Sequence, residues 1–98
     1  MEVEIKIIED GEIFLEIAFI NIIVDNYTII SEPPVPDSPP LQEIEKKNFG
    51  MRDYRFLGIP KSSWNKLIRI KSKLYVVAED VNGQSFYSNK IDTGDFEK

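Results

Sequence analysis

Between Asp53 and Glu79 the chain carries no acid, but it carries Arg55, Lys61, Lys66, Arg69, Lys71 and Lys73. Tyr54, Phe56 and Trp64 are interleaved with these bases. Cations that track a phosphate backbone and rings that stack on bases are the equipment of a single-stranded nucleic acid binder. Arg55, Lys61, Trp64, Lys66, Arg69, Lys71 and Lys73 therefore form a candidate binding patch. The competing reading puts the rings in the core and the lysines on the wet face of strands or of an amphipathic turn. An overall charge of −5 favours that second reading, because an acidic chain repels a polyanion.

Other chemistry is sparse. The chain has no His and no Cys, which removes the commonest general base, thiolate nucleophiles and most transition-metal ligand sets. A Ser/Lys dyad from Ser62 or Ser63 with Lys61 or Lys66 is conceivable, although Ser before an apolar run more often caps a helix. Glu9, Asp10 and Glu12 cluster around Gly11 but lack the spaced oxygen-ligand loop of a strong calcium site. With Glu2 and Glu4 they form a candidate acidic face. No glycine-rich phosphate loop occurs, and no cofactor or metal is expected.

Charge is divided along the chain. Residues 1–45 hold eleven acids and one base, a sum of −10; residues 46–90 hold ten bases and three acids, a sum of +7; residues 91–98 add −2. If the halves form separate surfaces, self-association or docking on a charged partner follows. If strands interleave them, the field cancels.

The elements that must position these groups follow from periodicity. Residues 13–24, IFLEIAFINIIV, are apolar at ten of twelve positions. Ile13, Leu15, Ile17 and Phe19 fall on one face of an extended chain. Phe14, Ala18, Ile20 and Ile22 fall on the other, a pattern of a strand covered on both sides. Glu16 must then face away from Leu15 and Ile17, at a rim or near a base. Residues 1–9 alternate with Val3, Ile5 and Ile7 inward. A three-residue loop, Glu9-Asp10-Gly11, keeps the apolar faces together, with Ile7 opposite Ile13 and Gly11 left-handed. Asp25-Asn26 marks a turn, and residues 27–31 read as a strand returning beside 13–24. Five prolines in residues 32–40 exclude a central strand or helix interior and indicate a stiff connector between sheets. Pro33-x-x-Pro36 and Pro36-x-x-Pro39 also have polyproline-ligand spacing. Residues 41–47, LQEIEKK, with early acids and late lysines, predict a short helix. Residues 54–57 read as a short strand. Residues 62–71 are a turn of helix around Trp64 and Leu67, or already strand from Leu67. Residues 74–81 and 84–91 form a hairpin around Asn82-Gly83. Domain organisation is a single β-rich unit, 1–92, with a polar C-terminal tail, 93–98.

Residues 75–91, YVVAEDVNGQSFYSNKI, resemble the C-terminal hairpin of bacterial fibronectin type III and immunoglobulin-like domains. The resemblance rests on Tyr75, Ala78, Asp80, Asn82, Gly83, Ser85, Tyr87, Ser88 and Asn89. It implies a seven-stranded sandwich with a binding or spacer role and no active site. The chain departs from that family in having no Trp in residues 13–24 and in placing Arg69, followed by Ile70, where a leucine precedes the corner tyrosine.

The fold expectation is mostly β: an antiparallel β-sandwich with one short helix after the Pro-rich connector. The functional expectation is a non-enzymatic interaction or structural module, as in a viral, phage or other assembly, that binds another protein or itself as a homo-oligomer. The alternatives are a small acidic inhibitor of a nucleic-acid-processing enzyme and a single-stranded nucleic acid binder through residues 54–73. The acidic start lacks the basic and apolar regions of a signal peptide, and residues 13–24 are too short for a membrane span. A soluble, cytoplasmic or virion-associated protein is the expectation.

Overall fold

The computed structural model describes residues 1–35 and 40–97. Two antiparallel sheets face each other. The first has the order β1-β2-β5-β4, from β1 (Glu2–Asp10), β2 (Glu12–Ile20), β4 (Gln42–Phe49) and β5 (Arg52–Ile59). The second has the order β3-β6-β7, from β3 (Val24–Glu32), β6 (Lys73–Asp80) and β7 (Ser85–Tyr87), and β8 (Ile91–Asp92) also pairs with β6. A helix, α1 (Lys61–Arg69), and a 3-10 turn, Thr93–Phe96, complete the fold.

β2 is central in its sheet, and Leu15, Ile17 and Phe19 are fully buried on its inner face. Each such side chain contributes roughly 1.5–3 kcal/mol relative to exposure. They meet Val3 and Ile5 of β1, Leu57 of β5, and Leu74, Val76 and Ala78 of β6. The other face is only half covered: Ala18 is buried, but Phe14 and Ile20 are half-buried. Glu16 faces that side and pairs with Lys6 at 3.3 Å.

The strand ends earlier than the apolar run suggests. Asn21, at φ 57°, breaks it, and the chain crosses to the second sheet. β3 consequently pairs with β6 rather than returning beside β2. Hydropathy does not show this crossing, because both sheets need an apolar strand there. The β1–β2 register is Ile7 opposite Leu15 and Ile5 opposite Ile17. That is shifted by two residues from the expected pairing. A two-residue shift keeps every side chain on its face, so the pattern alone does not separate the two registers. Gly11 stands at the tip with φ +73°, as the turn requires.

Residues 42–49 are not a helix but the edge strand β4, exposed at all eight positions. With no buried face the segment has no alternation to read, and pairing with β5 overrides its helix-forming side chains. The Pro-rich segment does connect the sheets, since β3 and β4 lie in different ones. Pro36 and Pro39 lie outside the described residues.

α1 follows Pro60, whose φ of −56° suits a helix start. It buries Ser63, Trp64 and Leu67 and closes one end of the sandwich. Its last turn ends as a Schellman motif: the Ser72 N–H donates to the Leu67 carbonyl, and the Lys71 N–H donates to that of Ile68, both at 3.0 Å. Lys71 occupies the left-handed position, φ 51°, where glycine is usual. Residues 93–96 are docked rather than a free polar tail. Thr93 is fully buried, with its hydroxyl 2.9 Å from the Leu67 carbonyl and 2.6 Å from that of Ser72. Phe96 packs edge-to-face on Trp64, with 5.4 Å between ring centres. The polar letters of DTGDFEK conceal one helix-capping hydroxyl and one half-buried ring packed against the core.

Two polar clusters join the edges of the sheets. The Asn89 carboxamide accepts from the Ile5 N–H at 2.8 Å and donates to the Ile5 carbonyl at 3.0 Å, linking β1 to the chain after β7. On the opposite side, the Tyr27 hydroxyl of β3 donates to Glu43 of β4 at 2.8 Å. Among the described residues no helix is long and apolar enough to cross a membrane.

Candidate interaction surface

The bases and rings of the expected nucleic acid patch do not share a surface. Arg55 lies on the inner side of β5. Its guanidinium sits 5.7 Å from the centre of the Phe19 ring and 3.5 Å from Glu43. Trp64 is in the core, 4% exposed. Lys61, Lys66 and Arg69 are exposed on α1, while Lys71 ends the helix and Lys73 begins β6. The placement has a simple cause. Strand alternation turns Tyr54 and Phe56 outward and Arg55 inward, and the helix period turns Trp64 away from Lys66 and Arg69, while Lys61, one turn before Trp64, is exposed at the helix start. Ser63 is buried in α1, whereas Ser62, Lys61 and Lys66 are exposed.

The acidic face is also divided. Glu2 and Glu4 lie on the outer side of β1, at the opposite end of the strand from Glu9, Asp10 and Glu12, which surround the β1–β2 tip. Among the described residues no three acids gather as a metal-holding group. Glu9 and Glu12 line a recess shared with Lys61 and Asn65 of α1, so acids and bases from the two halves of the chain adjoin there.

Tyr54, Phe56 and Phe49 come together on the outer side of the first sheet. Tyr54 and Phe56 are stacked, with centres 6.4 Å apart, and Phe49 meets Tyr54 edge-on at 5.8 Å. The Lys47 ammonium lies 5.5 Å from the Phe56 ring centre, a cation–π distance. The Tyr54 side chain beside the Arg52 guanidinium raises the arginine pKa further. Glu2, Glu4, Glu16 and Lys6 complete the rim, so the recess here, of 880 Å³, carries both signs of charge.

This recess opens onto the end of the sandwich that α1 does not close. Register fixes what gathers at that end. Glu2 opposes Ile20, Ile20 opposes Arg52, and Phe49 opposes Arg52. The Asn21 N–H donates to the Met51 carbonyl at 2.8 Å, and the Val81 N–H to the Ile23 carbonyl at 3.1 Å. Met1, Ile23, Phe49, Met51 and Val81 thus all lie at this end, and they are 59–73% exposed. The sequence gives no separate signal for this cluster. Its members come from four segments, the N-terminus and the β2–β3, β4–β5 and β6–β7 connections, and Ile23 lies within the apolar run 13–24. In comparisons with known proteins, no family model matches this chain, and no curated protein or solved structure matches it significantly.

Proposed function

We propose that the protein is a non-enzymatic interaction module that grips a protein partner with the open end of its sandwich. The observation that carries this reading is the gathering of Met1, Ile23, Phe49, Met51 and Val81, each largely exposed, at one end of the fold. Large apolar side chains scattered singly need no explanation, but a contiguous exposed group rimmed by polar residues marks an interaction site. Its composition fits. Met, Phe, Tyr and Arg are enriched in interface centres, and here Arg52 pairs across the strands with Phe49 and Tyr54 meets the Phe49 ring. The recess over the outer sheet face extends the contact and supplies charges of both signs at the rim, which suit a protein better than a polyanion. The resemblance of residues 75–91 to domains with binding or spacer roles points the same way. A nucleic acid reading has less support, because Glu2, Glu4 and Glu16 share the recess with Phe49, Tyr54 and Phe56.

The test compares two tagged variants with wild type in cells. Ile23→Glu/Met51→Glu places charge on the open end. Lys66→Glu/Arg69→Glu/Lys71→Glu reverses the helix face. Both sets of side chains are exposed, so both variants are expected to fold. A protein that co-purifies in stoichiometric amount with wild type is expected to be lost from the first variant and kept by the second. Retention by the first and loss from the second would overturn the reading.

A further inference from the structure

We infer that β4 is a self-recognition edge, onto which a second copy of this chain adds its own β4 in antiparallel orientation. Asn89 fixes which way the backbone groups of each strand face. Its carboxamide bonds both backbone groups of Ile5, so the N–H and C=O of Ile5 point away from β2. Backbone direction alternates across an antiparallel sheet. Ile17, opposite Ile5, therefore points its backbone groups at Arg55 of β5. Tyr54 and Phe56, the neighbours of Arg55, point theirs at Lys47 and Glu45 of β4. The backbone groups of Lys46 and Asn48 are left facing outward. Among the described residues no strand lies beyond β4.

An edge of this kind is usually defended by charge. The charges of β4 are instead arranged so that one partner is favoured. The strand reads QEIEKKNF, with Glu43 and Glu45 before Lys46 and Lys47. Antiparallel pairing about a two-fold axis at Lys46 lets the two Lys46 backbones exchange both bonds. It sets Glu45 opposite Lys47 of the second copy, and Lys47 opposite its Glu45, on the same outer face. Each Lys46 side chain, near the axis, is held by its own Glu43 at 3.4 Å. An isologous contact needs a self-complementary patch, and this strand supplies one. A peptide of one charge sign would meet a like charge at Glu45 or at Lys47. The dimer makes one continuous eight-stranded sheet and points the two open ends in opposite directions. Lys47 and Phe49 of β4 also border the open-end surface, but the β4 contact rests on the strand's own outward backbone groups and its Glu45 and Lys47 charges, and stands or falls independently of that reading.

The experiment is sedimentation equilibrium at low salt, from micromolar to about millimolar protein, because a short polar edge contact is weak. Wild type is expected to form a dimer. Glu45→Lys and Lys47→Glu are each expected to weaken it about tenfold or more, since exposed opposite-charge pairs become like-charge pairs twice over. An equimolar mixture of the two variants is expected to restore a heterodimer, and the double variant Glu45→Lys/Lys47→Glu a homodimer. Restoration also shows that the variants fold. Wild type that stays monomeric, single variants that dimerise as wild type does, or a mixture that stays monomeric would each overturn the proposal.

Discussion

Replacing Asn89 with Ala removes the side chain that stands in for a neighbouring strand at the β1 edge. Two hydrogen bonds disappear, at 2.8 and 3.0 Å, and both of their backbone partners belong to Ile5, which is 5% exposed. A hydrogen bond contributes roughly 0.5–1.5 kcal/mol net, and a stranded buried group costs about 1–3 kcal/mol. Asn89 itself is exposed, so water reaches the vacated place and holds the loss near the low end. The expected cost is about 2 kcal/mol. For a domain of this size that lowers Tm by roughly 8–16 °C. Asn89→Asp sharpens the test. A carboxylate still accepts from the Ile5 N–H but repels the Ile5 carbonyl, so at neutral pH it should lose at least as much as Ala. The aspartic acid recovers part of the loss once it is protonated and can donate. Calorimetry across pH, with hydrogen exchange at the Ile5 amide, reads both effects. A variant that melts with wild type and protects Ile5 equally would refute the idea that this carboxamide closes the seam.

Three further outcomes follow from the same geometry. Lys71→Gly should stabilise the protein by about 0.5–1 kcal/mol in denaturant titration, because the left-handed residue of the Schellman motif then carries no Cβ strain. A loss of stability would show that the lysine side chain makes an offsetting contact. Thr93→Val should cost about 2 kcal/mol, since the hydroxyl beside the Leu67 and Ser72 carbonyls is fully buried and the methyl replacing it cannot donate. Burial and the Glu43 bond push the Tyr27 pKa up to about 12, from an ordinary 10 in the unfolded chain. The contribution of this tyrosine is therefore fully present below pH 10 and is lost as pH rises from 10 through 12. Tyr27→Phe should flatten that part of the stability profile, and an unchanged alkaline slope would contradict the assignment.

Much of the fold was legible because two periodicities were clean. Val3, Ile5 and Ile7 alternate, and Leu15, Ile17 and Phe19 mark the face that becomes fully buried. Asn82-Gly83 announced a turn between β6 and β7, with Gly83 at φ +81°. What failed to show was set by tertiary contact. β4 looked helical because a strand without a buried face has no alternation. The crossing at Asn21 was hidden because the chain stays apolar on both sides of it. The return strand stops at Tyr87, because the Ser88 hydroxyl takes over as acceptor for the Val76 N–H and frees Asn89 to reach β1. The site was less legible still. A linear run of bases and rings is split by a two-residue period in β5 and a 3.6-residue period in α1. The apolar end exists only once four separate segments have been brought to one pole.

Site-specific photocrosslinking in cells tests the central claim most directly. A crosslinkable residue is placed singly at positions 23, 51 and 81 on the open end, and at exposed position 10 on the opposite end. One protein adduct of the same mass is expected from 23, 51 and 81, absent from 10, and still formed when Glu45→Lys prevents self-pairing. Adducts from position 10 alone, or no common adduct among the three open-end positions, would contradict it.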